Sequence, residues 1–196
     1  MFTGIITHTG ILQQKKGDTF TFSTDHSLLA KIQEGTSISI NGVCLTALAE
    51  PKADTFRVQI MPETSKKTML DSLKEGNIAN LELPVTAETL LSGHIVQGHV
   101  DGLGTVKDIT QEGNSHILTI SVPEVMSKYL ITKGSICLNG ISLTVVEAHN
   151  DYFTVGIIPY TWEHTMLSAI QPGDEVNIEV DMLAKYVEKL YKKNYA

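Results

Sequence analysis

The side chains best suited to chemistry stand where two halves of the sequence share a backbone pattern but differ in residue type. Cys44 in the first half is replaced by Ser142 in the second, and Ile5 is replaced by His99. A thiol and an imidazole have pKa values that a protein can tune towards neutrality. Cys44 and His99 are therefore candidates for a nucleophile and a proton-transfer group.

Two charged residues follow the same rule. Lys133 stands where the first half has Glu34, and Asp181 stands where it has Pro84. The second half thus gathers a His, a Ser, a Lys and an Asp, whereas the first has a lone Cys. Two similar sites with different side chains could treat two copies of one ligand differently.

Each of these residues also has a structural interpretation that the sequence leaves open. A Cys on a strand is often a small core residue, and Ser142 follows an Asn-Gly turn whose backbone it could bond. Lys133 could be a solvated loop charge and Asp181 a helix cap. His99 could be a turn histidine with a local partner.

The two halves are copies of one domain. Their matching segments carry the motifs Asn-Gly-x-x-Leu-Thr, Pro-x-Thr-x-x-x-Thr-Met-Leu and Gly-x-x-x-Asn-x-Glu. The matched pairs are 41–46 with 139–144, 62–70 with 159–167, and 76–82 with 173–179. A spacing near 97 residues is too long for a solenoid unit. The pattern predicts one repeat over 1–94 and a second over 95–196.

Each repeat has the pattern of a small β domain. Apolar and polar residues alternate along segments 19–23, 36–40, 55–61 and 78–83, which predicts strands with one buried face. Asn41-Gly42 and Asn139-Gly140 predict tight turns. Short helices are expected within 25–32 and 123–130. The whole is expected to be mainly β, with two tandem six-stranded antiparallel barrels.

The C-terminal segment, about 182–195, predicts an amphipathic helix with no counterpart in the first repeat. Asp181 stands at the N-cap position. The residues that share one helical face are Leu183, Tyr186, Val187 and Leu190. This face could pack on its own barrel or form a contact between subunits.

Composition excludes several classes of protein. The chain has 196 residues, 42% of them hydrophobic, with a formal net charge of −7 and no basic run, so a nucleic-acid partner is not expected. Residues 1–8 have no basic region and no long apolar stretch, so they are not expected to act as a signal peptide. No run approaches the roughly 20 apolar residues of a membrane span, so no membrane partner is expected. Two cysteines make no disulfide scaffold, and a cytoplasmic location is expected.

His94 and His99 would fall on opposite faces of a strand, which argues against a metal site.

Read as a set, the motifs resemble the lumazine-binding family of the riboflavin synthases. The segments that carry the resemblance are Met1–Ile6, Asn41–Thr46, Ser92–Gly102, Gly140–Thr144, Ile158–Thr161 and Asn177–Asp181. They occur in the family's order and extend over essentially the whole chain. The resemblance implies that the two barrels have Greek-key topology.

The resemblance also implies an activity. Family members join two molecules of 6,7-dimethyl-8-ribityllumazine, one donating a four-carbon unit to the other, with no metal or redox cofactor. It implies a homotrimer held by the C-terminal helix, with each active site between repeat one of one subunit and repeat two of its neighbour. Association with lumazine synthase is left open. The alternative is a non-catalytic lumazine- or flavin-binding protein of the antenna type.

Residue roles follow from the same resemblance. Cys44 and Ser37 would act at the repeat-one ligand, His99 and Ser142 at the repeat-two ligand, and Lys133 and Asp181 would position or polarise the second ring. The residues implied in binding are, for repeat one, Gly4, Ile5, Ile6, Cys44, Leu45, Thr46, Gln59, Ile60, Met61, Pro62, Glu63 and Thr64, and, for repeat two, Gly98, His99, Val100, Lys133, Ser142, Leu143, Thr144, Ile157, Ile158, Pro159, Tyr160, Thr161 and Trp162.

Overall fold

Two six-stranded antiparallel units follow one another along the chain. The computed structural model describes residues 1–49 and 51–195, so Glu50 and Ala196, which the predicted repeats include, lie outside it. Each unit has its own hydrophobic core, with Phe22 and Phe56 stacked in the first and Phe153 buried in the second. Within the described residues, no helix is long and apolar enough to cross a membrane.

The first unit is a sheet in the strand order β4-β3-β6-β1-β2-β5. Its strands are β1 (His8–Lys16), β2 (Thr19–Ser23), β3 (Ser37–Ile40), β4 (Val43–Thr46), β5 (Thr55–Gln59) and β6 (Ile78–Glu82). Its helices are α1 (His26–Leu29), α2 (Pro62–Lys67) and a 3-10 turn at Met69–Ser72. A bridge between Ala47 and Val58 brings its edge strands β4 and β5 together.

The second unit is a closed barrel in the order β10-β11-β8-β7-β12-β9. Its strands are β7 (Gly102–Glu112), β8 (Ser115–Ser121), β9 (Ser135–Leu138), β10 (Ile141–Ala148), β11 (Tyr152–Ile157) and β12 (Glu175–Val180). Its helices are α3 (Glu124–Ser127), α4 (Pro159–His164) and a 3-10 turn at Met166–Ala169, and α5 (Met182–Tyr195) follows it. When equivalent strands are matched, both units have the same neighbours. The predicted fold class is confirmed.

The predicted helices near 25–32 and 123–130 are shorter than those segments. The side chain of Asp25 caps α1 at the backbone N–H groups of Ser27 and Leu28, and α1 ends at Leu29. Pro123 precedes α3, which ends at Ser127. Helices of one turn have few internal hydrogen bonds, so packing against the barrels rather than propensity must hold them in place.

The two predicted Asn-Gly turns are confirmed, and they also join the units. Asn41 and Gly42 have φ values of 47° and 77°, and Asn139 and Gly140 have 45° and 82°, as a tight hairpin of this type requires. A Cβ on Gly42 would lie 2.6 Å from the backbone nitrogen of Gly140. The turns therefore pack against each other at a distance that only glycine permits.

Buried asparagine side chains link the two units. Asn80 Nδ2 donates to the carbonyl of Asn139 at 2.9 Å, and Asn80 Oδ1 accepts from the backbone N–H of Met166 at 2.7 Å. Asn177 makes the matching bond to the carbonyl of Asn41 at 2.8 Å. Because buried amides need all their partners, this network fixes how one unit sits on the other.

Helix α5 contacts the second barrel through its polar side. Asp181 Oδ1 accepts from the backbone N–H of Leu183 at 2.9 Å, as the predicted N-cap requires. Glu188 accepts from Lys128 Nζ at 2.6 Å and from the hydroxyl of Tyr129 at 2.5 Å. The apolar face is exposed at Leu183, Tyr186, Val187 and Leu190. This face does not pack on its own barrel.

Candidate functional site

Two short segments cross between the units and carry predicted site residues with them. The first is the N-terminal segment, residues 1–6, and the second is the linker segment, residues 94–100. They pair with each other through a bridge between Phe2 and Val96. The carbonyl of Gly4 accepts from the N–H of Ser142 on β10 at 2.7 Å, and the carbonyl of Gly98 accepts from the N–H of Cys44 on β4 at 2.9 Å. Each segment therefore contacts the barrel of the other repeat.

Glu82, at the end of β6, anchors the N-terminal segment. Its Oε1 accepts from the backbone N–H and the hydroxyl of Thr3, both at 2.7 Å, and its Oε2 accepts from the N–H of Gly4 at 3.1 Å. Burial raises the pKa of this carboxyl group, and the bonds from Thr3 and Gly4 partly oppose the rise.

Glu179, at the matching position of β12, anchors the linker segment. Its oxygens accept from three successive backbone N–H groups, those of Gln97 at 2.6 Å, Gly98 at 2.9 Å and His99 at 2.9 Å. Burial raises the pKa of Glu179 as well, again against the effect of the N–H donors. The position of the His99 backbone depends directly on this carboxylate.

The contact between each segment and the facing strand requires glycine. Gly4 has a φ of +76°, and a Cβ there would lie 2.7 Å from the Cβ of Ser142. Gly98 has a φ of +79°, and a Cβ there would lie 2.6 Å from the Cβ of Cys44. Both the backbone conformation and the close approach exclude a larger residue.

A cavity of about 420 Å³ lies beside β4 and β5 in the first unit. The predicted binding residues that line it are Cys44, Leu45, Thr46, Gln59, Ile60, Met61, Pro62 and Thr64. Asp18 also lines it, and its Oδ2 accepts from Gln59 Nε2 at 2.6 Å. The structure thus brings most of the repeat-one residues together around one space.

A second cavity of about 270 Å³ shares Cys44 and Thr64 with the first. Its other lining residues include Glu63, Gly98, His99 and Val100. His99 and Cys44 of one chain therefore line the same cavity.

Within one chain, the N-terminal segment and the linker segment are not grouped with their own repeats, and the roles predicted for their residues at the two ligands stay predictions. His99 was expected beside Ser142, and Gly4 was expected beside Cys44. Within one chain the structure places Gly98–Val100 at the Cys44 side and Gly4 at the Ser142 side. The physical reason is the pairing of Phe2 with Val96, which carries each segment across to the other unit.

Ser142 has a partner that the sequence did not indicate. Nδ1 of His94 lies 2.7 Å from Ser142 Oγ, and the His94 side chain is buried. Burial lowers the pKa of His94, while the negative charge of Asp181 acts in the opposite direction. A neutral imidazole beside a hydroxyl can accept its proton.

The remaining predicted residues lie at several places. Ser37 on β3 pairs with Thr46 on β4 and is half-buried. Lys133 is exposed, with a φ of 68°, and its backbone N–H donates to Val145. Neither lines the two cavities beside Cys44. The repeat-two residues Leu143 and Thr144 lie on β10, Ile157 ends β11, and Ile158–Trp162 lead into and form α4.

Sequence reasoning missed Glu82, Glu179 and His94. A signal existed for the two glutamates, because they end matching motifs in the two repeats and occur on strands whose other residues are largely apolar. No such signal existed for His94, since its contact with Ser142 spans 48 residues. Among residues 1–49 and 51–195, no group of three or more His, Cys, Asp or Glu side chains is placed to hold a metal ion.

Comparison with known proteins agrees with this two-unit arrangement. The family model described as the lumazine binding domain matches residues 3–84 and 97–181. The chain is 39% identical to riboflavin synthase from Actinobacillus pleuropneumoniae, over 100% of this chain and 92% of that one. It is 38% identical to riboflavin synthase from Bacillus subtilis (strain 168), over 99% of this chain and 92% of that one.

Solved structures show the same fold. The crystal structure of LumP complexed with riboflavin has a TM-score of 0.83 and 26% identity, over 92% of this chain and 99% of that one. LumP complexed with 6,7-dimethyl-8-(1'-D-ribityl) lumazine has a TM-score of 0.81 and 25% identity over the same shares. With both repeats matched and full-length relatives above one third identity, the chain belongs to the lumazine-binding family that includes the riboflavin synthases.

Proposed function

We propose that this chain is a riboflavin synthase. It converts two molecules of 6,7-dimethyl-8-ribityllumazine into one riboflavin and one 5-amino-6-ribitylaminouracil, by moving a four-carbon unit from one lumazine to the other. The observation that carries the proposal is a pair of half-sites with matching backbones and different side chains, in a chain similar to riboflavin synthases over its full length. A reaction between two identical molecules needs this kind of asymmetry.

Much of the catalysis comes from holding two rings face to face. Converting an encounter of two substrates into a reaction within one complex can supply roughly 7–11 kcal/mol of the barrier. The 7-methyl group of a lumazine loses a proton readily because the resulting anion delocalises into the ring. The protein therefore supplies orientation and proton transfer, and the proposed reaction needs no metal or redox cofactor.

At the repeat-one half-site, Cys44 acts as the nucleophile or as polar support for the ring. His99 stands beside it on the linker segment and transfers protons. Ser37 supports the strand pair that carries Thr46. The half-buried state of Cys44 leaves its thiol partly open to a ligand.

At the repeat-two half-site, Ser142 and His94 act as a pair. The 2.7 Å contact between His94 Nδ1 and Ser142 Oγ supports proton transfer through the hydroxyl. The charge of Asp181 acts on His94. Thr144 binds the ring of the ligand, and Lys133 positions or polarises the second ring where two subunits meet.

The assembly we propose is a homotrimer held by α5, in the cytoplasm. The exposed apolar face of α5 supports this, since a monomer would leave four large apolar side chains in water. Repeat one (1–94) of one subunit then faces repeat two (95–196) of its neighbour, and two lumazines bind between them. Lumazine synthase, which would supply the substrate, is a candidate partner for co-sedimentation.

The direct test is to incubate the purified protein with 6,7-dimethyl-8-ribityllumazine alone and measure riboflavin. We expect one riboflavin for every two lumazines, with lower rates for Cys44→Ser, His99→Ala and Ser142→Ala. His149→Ala is the matched control, because His149 is an exposed histidine stacked on Tyr152 outside both cavities. Unchanged turnover in all three site variants would overturn the residue roles.

The alternative is a protein that binds a lumazine or flavin without converting it. The similarity to LumP in complex with riboflavin supports this alternative. It predicts a purified protein that carries a bound coloured ligand and forms no riboflavin from added lumazine. Turnover in the assay above excludes it.

The role of α5 has its own test. A chain ending at Asp181 lacks the exposed apolar face, and we expect it to sediment as a monomer with low activity. The Val187→Glu variant places a charge in the apolar face but keeps the helix, and we expect it to behave as the truncated chain does. Trimers of full activity in both variants would refute the proposed assembly.

A further inference from the structure

His116, near the start of the second barrel's β8, is equivalent to a residue that lines a cavity in the first unit. In the first unit the backbone N–H of Ile60 donates to the carbonyl of Asp18 at 2.8 Å. In the second unit Ile157, which matches Ile60 in the repeat, pairs with His116. Asp18 and His116 are therefore equivalent positions.

The Asp18 position is a wall of the 420 Å³ cavity. The Asp18 carboxylate lies beside Cys44, Thr46 and Gln59 around that space, and accepts from the Gln59 amide. In the second unit the position of Gln59 is held by Gly156, which has no side chain. The His116 side chain thus lacks the amide partner that Asp18 has.

Two contacts define the state of the His116 ring. It stacks on Trp162 with a centroid separation of 3.8 Å and an interplanar angle of 11°. Its Nδ1 is buried, and of the buried side-chain nitrogens and oxygens in the described residues it is the one without a hydrogen-bond partner. Most buried polar atoms in native proteins have a hydrogen-bond partner, and an exception calls for an explanation, such as a water molecule, an ion or a functional role.

We propose that His116 is a ligand-contacting residue of the repeat-two half-site, where its Nδ1 hydrogen-bonds the polyol chain of the ligand and Trp162 holds the ring in place by stacking. This inference rests on the proposed function and adds a specificity-determining residue to it. The two half-sites then bind the polyol chain differently, through a carboxylate and an amide in repeat one and through an imidazole in repeat two.

The polyol is the favoured target because of where Asp18 and its partner lie. Hydroxyl groups both donate and accept hydrogen bonds, so they can satisfy Asp18 and Gln59 at one site and either tautomer of His116 at the other. Gly156 has no side chain, and a Cβ there would be in ordinary contact with the side chains of Ile117 at 3.6 Å and Val146 at 3.8 Å.

The test compares two ligands on variants of position 116. The probes are 6,7-dimethyl-8-ribityllumazine and its 8-methyl analogue, which lacks the polyol. Trp162 is the single tryptophan of the chain, so quenching of its fluorescence reports ligand at the repeat-two half-site. For His116→Ala we expect about three- to tenfold weaker binding of the ribityl ligand, the size of one hydrogen bond, and unchanged binding of the analogue.

His116→Asn provides the conservative variant, because an asparagine amide can occupy the place of Nδ1. It should restore most of the affinity for the ribityl ligand. His149→Ala, which removes an imidazole stacked on Tyr152 elsewhere in the same unit, should change neither affinity.

Equal weakening of both ligands by His116→Ala, or no weakening of either, would overturn the inference. Failure of the proposed function is recognised separately, because the unmodified protein would then form no riboflavin from added lumazine. The inference itself is tested by binding, and it would fall with the function if the unmodified protein also bound neither lumazine.

Discussion

The Glu179→Gln substitution tests the claim that a buried carboxylate positions the linker segment. One oxygen of Glu179 accepts from Gln97, and the other accepts from Gly98 and His99. A glutamine keeps one acceptor oxygen but replaces the other with an NH2 group. At least one buried N–H would then face another donor.

The expected loss of stability follows from the number of buried N–H groups left without an acceptor. A buried donor without a partner costs about 1–3 kcal/mol, and Glu179 is 3% exposed, so water cannot replace the lost acceptor. For a chain of this size, a loss of 1 kcal/mol lowers the melting temperature by about 2–4 °C. We therefore expect a melting temperature about 2–12 °C lower, together with reduced turnover because the backbone of His99 is no longer held.

Thermal unfolding followed by Trp162 fluorescence would measure the change in melting temperature, and urea unfolding would measure the loss of about 1–3 kcal/mol. Glu175→Gln is the matched control, because Glu175 lies on the same strand, β12, and is exposed. If Glu179→Gln unfolds at the same urea concentration as the unmodified protein and retains its activity, the carboxylate does not hold the segment.

Three further results are expected. Gly42→Ala should destabilise the protein by at least about 1–3 kcal/mol in urea unfolding, because alanine at a φ of +77° is strained and its Cβ meets the facing turn. A stability equal to that of the unmodified protein would contradict the observed packing of the two turns. A thiol reagent should label one cysteine per native chain, Cys44, since Cys137 is buried and burial raises the pKa of its thiol; mass spectrometry showing equal labelling of both would refute this. Hydrogen bonds from Lys128 and neighbouring groups lower the pKa of Glu188 to about 2. The contribution of Glu188 to α5 docking is therefore present above the ordinary value of 4.5 and is lost as the pH falls through about 2, which should increase hydrogen exchange in α5. The Glu188→Gln variant should not show this dependence on acid.

The sequence by itself determined the repeated architecture. Alternating segments predicted the strands, Asn-Gly predicted the tight turns, and the helical pattern after Asp181 predicted α5. These are local features, because a residue's neighbours along the chain set the strand period and the turn conformation. The identity of the family was also readable, since several motifs occur together in one order.

Only the tertiary structure decided which residues meet. The repeats were expected to keep their own glycine segments, but the pairing of Phe2 with Val96 carries each segment to the opposite barrel. That pairing joins residues 94 positions apart, and nothing in the local pattern specifies it. The contact of His94 with Ser142 also joins residues far apart in the chain, as does that of His116 with Trp162 within the second unit. Long-range contacts depend on how two closed cores pack together, and that packing is set here by buried amides and glycines whose partners the sequence does not indicate.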